Sequence, residues 1–175
     1  QAMLNHSCRT YLLGAALLSD EEFQRIDLTL AAAAALAHDD GLVNPSTHGN
    51  CFTADSASEA NFLLEKLGMP EKSFEPARAA VIAHFQPVLP IGSGPEARLL
   101  ALGASADVTG IGLSKIHPLV IFEVWREWPE LGFLADLKPL LKGEISRAPR
   151  TRPGVLSIAG MPYLLRKPMS GERRS

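Results

Sequence analysis

The chain has 175 residues, enough for one domain with its own hydrophobic core and too few for two full-sized catalytic domains. Hydrophobic residues make up 46% and charged residues 21%, which excludes a disordered, collagen-like or highly charged polymer. A formal net charge of −2 and a longest apolar run of only about ten residues, 28–37, argue against nucleic acid and membrane as partners.

Taken in chain order, the elements read as helices. Leu4, Tyr11, Leu12, Ala15 and Leu18 recur at helical steps and predict an amphipathic helix over 4–18. That pattern starts within a few residues of Gln1, which suggests that a preceding segment has been removed or was not observed. Gln1-Ala2-Met3-Leu4 lacks the basic region and cleavage site of a secretory signal, and two cysteines, Cys8 and Cys51, are too few for a stapled secreted domain. A cytoplasmic, reducing setting is expected. Asp20-Glu21-Glu22 suits a helix start and predicts a second helix reaching His38 through an alanine-rich stretch, which implies close packing. Gly41 and Pro45 end it, and 41–53 reads as a long, polar loop of the kind that often carries function.

Further helices are predicted over 55–67, capped by Asp55 or Ser56, over 73–84, and over 95–108 with Pro95 in the first turn. Two more are expected over 117–128, closed by Pro129, and over 131–142. From Arg147 the character changes: prolines and glycines interrupt any period, and seven Lys/Arg face the single acid Glu172. The tail carries +6 and leaves −8 on the body. It is either a solvated terminus or an arm packed on the acidic body or on a neighbouring subunit, the last making a homo-oligomer. Residues 155–158 read as its one strand. The expected fold class is all-α, a compact helical bundle over 1–146 with an irregular basic tail over 147–175.

Four residues from three predicted helices suit a divalent metal: His6, the doublet His38-Asp39, and Asp107. Imidazole nitrogen and carboxylate oxygen are first-choice ligands for Zn, Fe or Mn, and bundle cores commonly gather such side chains from facing helices. Asp107 lies in a small, apolar helix, where a buried carboxylate needs a cation or a donor. Arg9, three residues after His6, shares its face roughly; it would steer a substrate anion or pair with Asp39 or Asp40. Phe52, Phe85 and Trp125 are candidates for pocket wall, or plain core.

A helical histidine, a later His-Asp doublet and a distant aspartate resemble the signature of the HD-domain metalloproteins. Asn5-His6-Ser7-Cys8-Arg9-Thr10-Tyr11, His117-Pro118 and Trp128-Pro129-Glu130-Leu131-Gly132-Phe133 bring the likeness closer to the cyanamide hydratase-like branch, over roughly residues 4–146. The resemblance implies an all-helical HD-type domain holding one divalent metal, zinc first, on His6, His38, Asp39 and Asp107. It implies a hydratase or hydrolase in which hydroxide on the metal attacks a small polarised molecule such as a nitrile. His48, His84 and Glu59 are the spare groups that a second metal would need, but Glu59 stands where two-metal members tend to have histidine. With one metal, His84 and Glu59 line the pocket, and His84 or Asp40 relays a proton. Asp40 departs from the family, where an apolar residue often follows the doublet. A phosphohydrolase acting on a nucleotide or phosphonate is the alternative enzyme; it would want cations near the metal, and Arg9, Arg78 and Arg98 are the candidates. A non-catalytic, metal-stabilised scaffold is the third reading.

Overall fold

The computed structural model describes residues 1–47 and 49–158, so His48 and residues 159–175 lie outside the described residues. Every regular element among the described residues is helical. In order these are α1 (Ala2–Leu17), α2 (Asp20–Arg25), α3 (Leu28–Ala37), α4 (Asp40–Val43), α5 (Phe52–Lys66), α6 (Glu75–Ala83), α7 (Pro95–Thr109), α8 (Pro118–Glu127), α9 (Phe133–Arg147) and α10 (Arg152–Ile158). Single 3-10 turns occupy Glu71–Ser73 and Leu113–Lys115. The all-α expectation holds, and no described helix is long and apolar enough to cross a membrane.

The tightest contact in the fold is between α1 and α7, and two glycines set it. A Cβ on Gly103 would lie 2.7 Å from the Thr10 carbonyl carbon and nearer still to its oxygen; one on Gly14 would collide with the Leu99 carbonyl in the same way. Without Cβ atoms, the two backbones touch. Gly14 meets Leu99, Thr10 meets Gly103, and His6 meets Asp107, steps of four residues taken in opposite senses along an antiparallel pair. The glycine contacts thereby fix the register that brings a histidine of α1 to an aspartate of α7.

Helix α3 is buried on nearly every face, with Leu30, Ala31, Ala33, Ala34, Ala35 and Ala37 all buried. It packs against α1, α5, α6 and α7, and alanine is what lets four neighbours approach at once. The single helix predicted over 20–38 is broken, because two caps compete for its middle. Ser19 and Glu22 form a reciprocal capping box that starts α2, and the Asp27 carboxylate takes the N–H groups of Thr29 and Leu30 to start α3.

The predicted loop over 41–53 is shorter at both ends. Helix α5 starts at Phe52 because Glu144 of α9, itself buried, accepts the Phe52 N–H at 2.9 Å. This cap comes from across the fold, so no local pattern reveals it. Asp55 and Ser56, expected as caps, accept the N–H groups of Ser46 and Gly41 instead. Arg147 ties down the remaining loop by donating to the carbonyls of Ser46 and Asn50.

The strand expected over 155–158 is corrected to helix: those residues complete α10. No sheet edge exists among the described residues for a strand to pair with, Pro153 fits a helix's first turn, and Gly154 lets that turn sit on the Pro149 carbonyl. Arg152 donates to the Ile82 carbonyl, and α10 packs on α9. The helical body therefore reaches well past residue 146. Cys8 and Cys51 are both free thiols.

Candidate metal centre

His6 projects from α1, His38 ends α3, and Asp39 follows at the break before α4. His38 keeps helical dihedrals, while Asp39 sits at φ −110°, ψ 5°, in the bridge region between helix and strand. In an unbroken helix, adjacent side chains diverge by about 100°; the break turns the Asp39 carboxylate back toward His38. Asp39 opens α4 but makes no side-chain cap to it, so the carboxylate is left to the cluster. Gly41 makes the tight turn fit, since a Cβ there would collide with the Phe52 carbonyl.

The donor atoms converge. His6 Nε2 and His38 Nε2 are 3.1 Å apart, and Asp39 Oδ2 lies 3.5 Å from the first and 3.4 Å from the second. A tetrahedral ion with ligands at about 2.0–2.1 Å separates its donor atoms by roughly 3.3 Å. His6, His38 and Asp39, all buried, form a group that can hold a metal ion.

The opposite edges of the rings explain why these nitrogens present lone pairs. His38 Nδ1 lies 2.8 Å from the Ala35 carbonyl, and His84 Nδ1 lies 2.6 Å from the Val81 carbonyl. A carbonyl only accepts, so each Nδ1 carries the hydrogen, and in the neutral form of the ring Nε2 carries the lone pair. His6 Nδ1 donates to Asp107 Oδ2 at 2.6 Å. His84 completes the group with Nε2 3.7 Å from Asp39 Oδ1. Three imidazole Nε2 atoms thus surround one carboxylate, an arrangement that can accommodate a cation.

Charge is distributed unevenly over the cluster. Burial, with the neighbouring imidazoles, pushes the His38 pKa down to about 4 against the pull of Asp39, leaving the ring neutral. Burial opposes charge on His6, but hydrogen bonds and attraction from Asp107 and Asp39 outweigh it and raise its pKa. For Asp39, burial is overcome by His38 and by hydrogen bonds with His6 and His84, and its pKa falls well below the usual carboxylate range. Asp107 is likewise held low against burial, by His6 and Arg9.

Asp107, expected among the ligands, stands one place further out. Its Oδ2 meets the Nδ1 edge of His6, not the Nε2 edge, and Arg9 grips both oxygens at 2.8 Å. The buried carboxylate thus has both the cation and the donor its apolar helix demanded. Arg9, 0% exposed, meets neither Asp39 nor Asp40 as expected, and it does not line the cavity, so it is not placed to steer an anion. Its Nη1 donates to the Trp128 and Pro129 carbonyls, and Asn5 donates to the Pro129 carbonyl at 2.8 Å. This pins the turn before α9, where Leu131 and Gly132 take positive φ and swing Phe133 onto His6, nearly parallel with ring centroids 4.0 Å apart. His6 is held on one edge by Asp107 and on one face by Phe133.

The cluster lies in the wall of a cavity of about 770 Å³ whose lining also includes His84, Phe85, Leu137, Leu141 and Leu156. Of the expected pocket groups, His84 and Phe85 are there. Asp40 is not: its Oδ1 accepts from Asn44 at 2.9 Å on the exposed side, and as the first residue of α4 it suits that helix's positive end. Glu59 is half-buried on α5 and does not line the cavity. Phe52 is core, edge-on to His84 and Phe85, and Trp125 packs near the Arg9 guanidinium. Phe133 and the pair Gly14 and Gly103 were not anticipated; the two glycines, each inside a predicted helix, were the available signal.

No protein-family model matches the chain, and no curated protein is significantly similar to it. The chemistry of the cluster rests on its own geometry.

Proposed function

We propose that this chain is an HD-type, metal-dependent hydratase or hydrolase that adds water to a small polarised substrate, resembling the cyanamide hydratase-like branch. The observation that carries this reading is the convergence of the His6 and His38 Nε2 atoms on the Asp39 carboxylate at a cavity wall. Those residues would hold one divalent ion, zinc before iron or manganese, because two imidazoles and one carboxylate are a borderline donor set that leaves a position open. A bound ion supplies Lewis acidity, which activates water at neutral pH and polarises the substrate.

The chain's own residues supply the rest. His84 stands beside Asp39, its ring fixed by the Val81 carbonyl and its Nε2 facing the Asp39 carboxylate, where it would take a proton from attacking water and return it to the substrate's nitrogen. For a nitrile, water oxygen bonds to carbon, one carbon–nitrogen π bond breaks, and the proton that left the water ends on nitrogen; tautomerisation gives the amide. Asp107 and Arg9 set the orientation and basicity of His6, as carboxylates do for ligating histidines. The phosphohydrolase alternative loses its cations: Arg9 is committed to Asp107, Arg78 pairs with Glu75, and Arg98 pairs with Glu22.

The test is turnover by zinc-loaded protein on a panel of nitriles beside nucleotides and phosphonates. The expected result is amide from nitriles, no phosphate release, and a loss of about 10²–10⁴-fold in His84→Gln with metal content retained. Phosphate release without amide would overturn the reading.

A further inference from the structure

We infer that the substrate of this site is an uncharged molecule with a hydrocarbon body of drug-like size, carrying its reactive group at one end. This rests on the metal-site reading and goes beyond it in naming what the cavity selects. Two observations carry it. The first is size: about 770 Å³ falls within the range of roughly 300–1,000 Å³ that encloses drug-sized ligands. A three-atom nitrile displaces on the order of two waters at about 30 Å³ each, and would leave most of that space wet and the apolar wall uncovered.

The second is the character of the wall. Leu42, Val108, Leu137, Leu141 and Leu156, from four different helices, form it with Phe85, and the carboxylate and imidazoles gather at one place on it. Helix α7 shows why. Its residues 99, 100, 103, 106 and 107 are buried in the helix contacts, while Ala101, Leu102, Ala104, Ser105, Val108 and Thr109 turn a mostly small, uncharged face to the cavity. Arg98 is the only cation among the described lining residues, and its Nε is paired with Glu22. An anionic tail would meet only a cation already balanced by the Glu22 carboxylate, whereas a hydrocarbon tail gains from every methylene it buries.

The test is a series of hydroxamic acids, whose headgroup chelates zinc, titrated calorimetrically into zinc-loaded protein: acetyl, butyryl, hexanoyl, and the six-carbon member ending in carboxylate. The expected result is a Kd that falls with length, approaching about fourfold per methylene, a carboxylate-tailed member at least about tenfold weaker than hexanoyl, and a flattened length dependence in Ala101→Phe, which fills the cavity. If all members bind with similar Kd, or the carboxylate tail tightens binding, this inference falls while the metal-site reading stands. If the protein takes up no zinc and acetohydroxamate does not bind, the metal-site reading itself fails and takes the inference with it.

Discussion

Arg9→Leu is expected to lower the free energy of unfolding by about 3–5 kcal/mol at neutral pH, the usual consequence of leaving one member of a buried charge pair without its partner. Arg9 and Asp107 are both fully buried, and the guanidinium holds both carboxylate oxygens. Removal also frees the Trp128 and Pro129 carbonyls, loosening the turn that sets Phe133 on His6. The pH dependence has a definite sign. Asp107 is depressed in the folded protein, so its contribution is complete above the unfolded carboxylate value, about 4, and is lost as pH falls below it. The gap between wild type and Arg9→Leu is therefore widest at neutral pH and closes in acid. The double variant Arg9→Leu/Asp107→Leu is expected to recover part of the loss, since an apolar pair removes the unpaired charge. Urea unfolding of the wild type and the two variants at pH 7 and in acid measures this; a loss below about 1 kcal/mol would place the pair among ordinary surface bridges.

Gly103→Ala is expected to cost about 3 kcal/mol, the upper end for overpacking, and to lower Tm by about 6–12 °C in a chain of this length. The new Cβ would meet the Thr10 backbone, which cannot rotate away as a side chain would. The helices must separate, and the step of four that joins Thr10–Gly103 to His6–Asp107 carries the disturbance to the site. Gly143→Ala on α9 is the control: nothing lies within 4 Å of its Cβ position, and helix propensity predicts a gain of about 0.5–1 kcal/mol. Thermal unfolding followed by circular dichroism separates the two. Equal Tm values for Gly103→Ala and wild type would remove the close helix contact as the basis of the site's register.

How far the sequence could be read depended on whether the deciding interaction was local. Helices α7 and α8 were legible almost to the residue, because Pro95, Gly110, Pro118 and Pro129 punctuate them and act through their own backbone. The chemistry of His6, His38-Asp39 and Asp107 was legible from residue type, and the structure draws all four together. Their division into a converging trio and a carboxylate behind His6 was not, because it depends on which edge of the His6 ring Asp107 meets. The start of α5 was missed because its cap, Glu144, lies 92 residues away in sequence. Residues 155–158 were mistaken for strand because a short apolar run has no period of its own; what decides it is the packing of α10 on α9. Asp40 read as a site residue because it follows the doublet, yet the helix break that turns Asp39 inward leaves Asp40 facing Asn44.

The central claim is that His6, His38 and Asp39 close around one ion, and elemental analysis of the purified protein beside His38→Ala measures it most directly. The account predicts about one equivalent of divalent metal per chain, zinc foremost, and a fall to less than about a tenth of that in a His38→Ala protein that remains helical by circular dichroism. Metal-free wild-type protein that takes up none on zinc titration, or unchanged metal content in the variant, would contradict it.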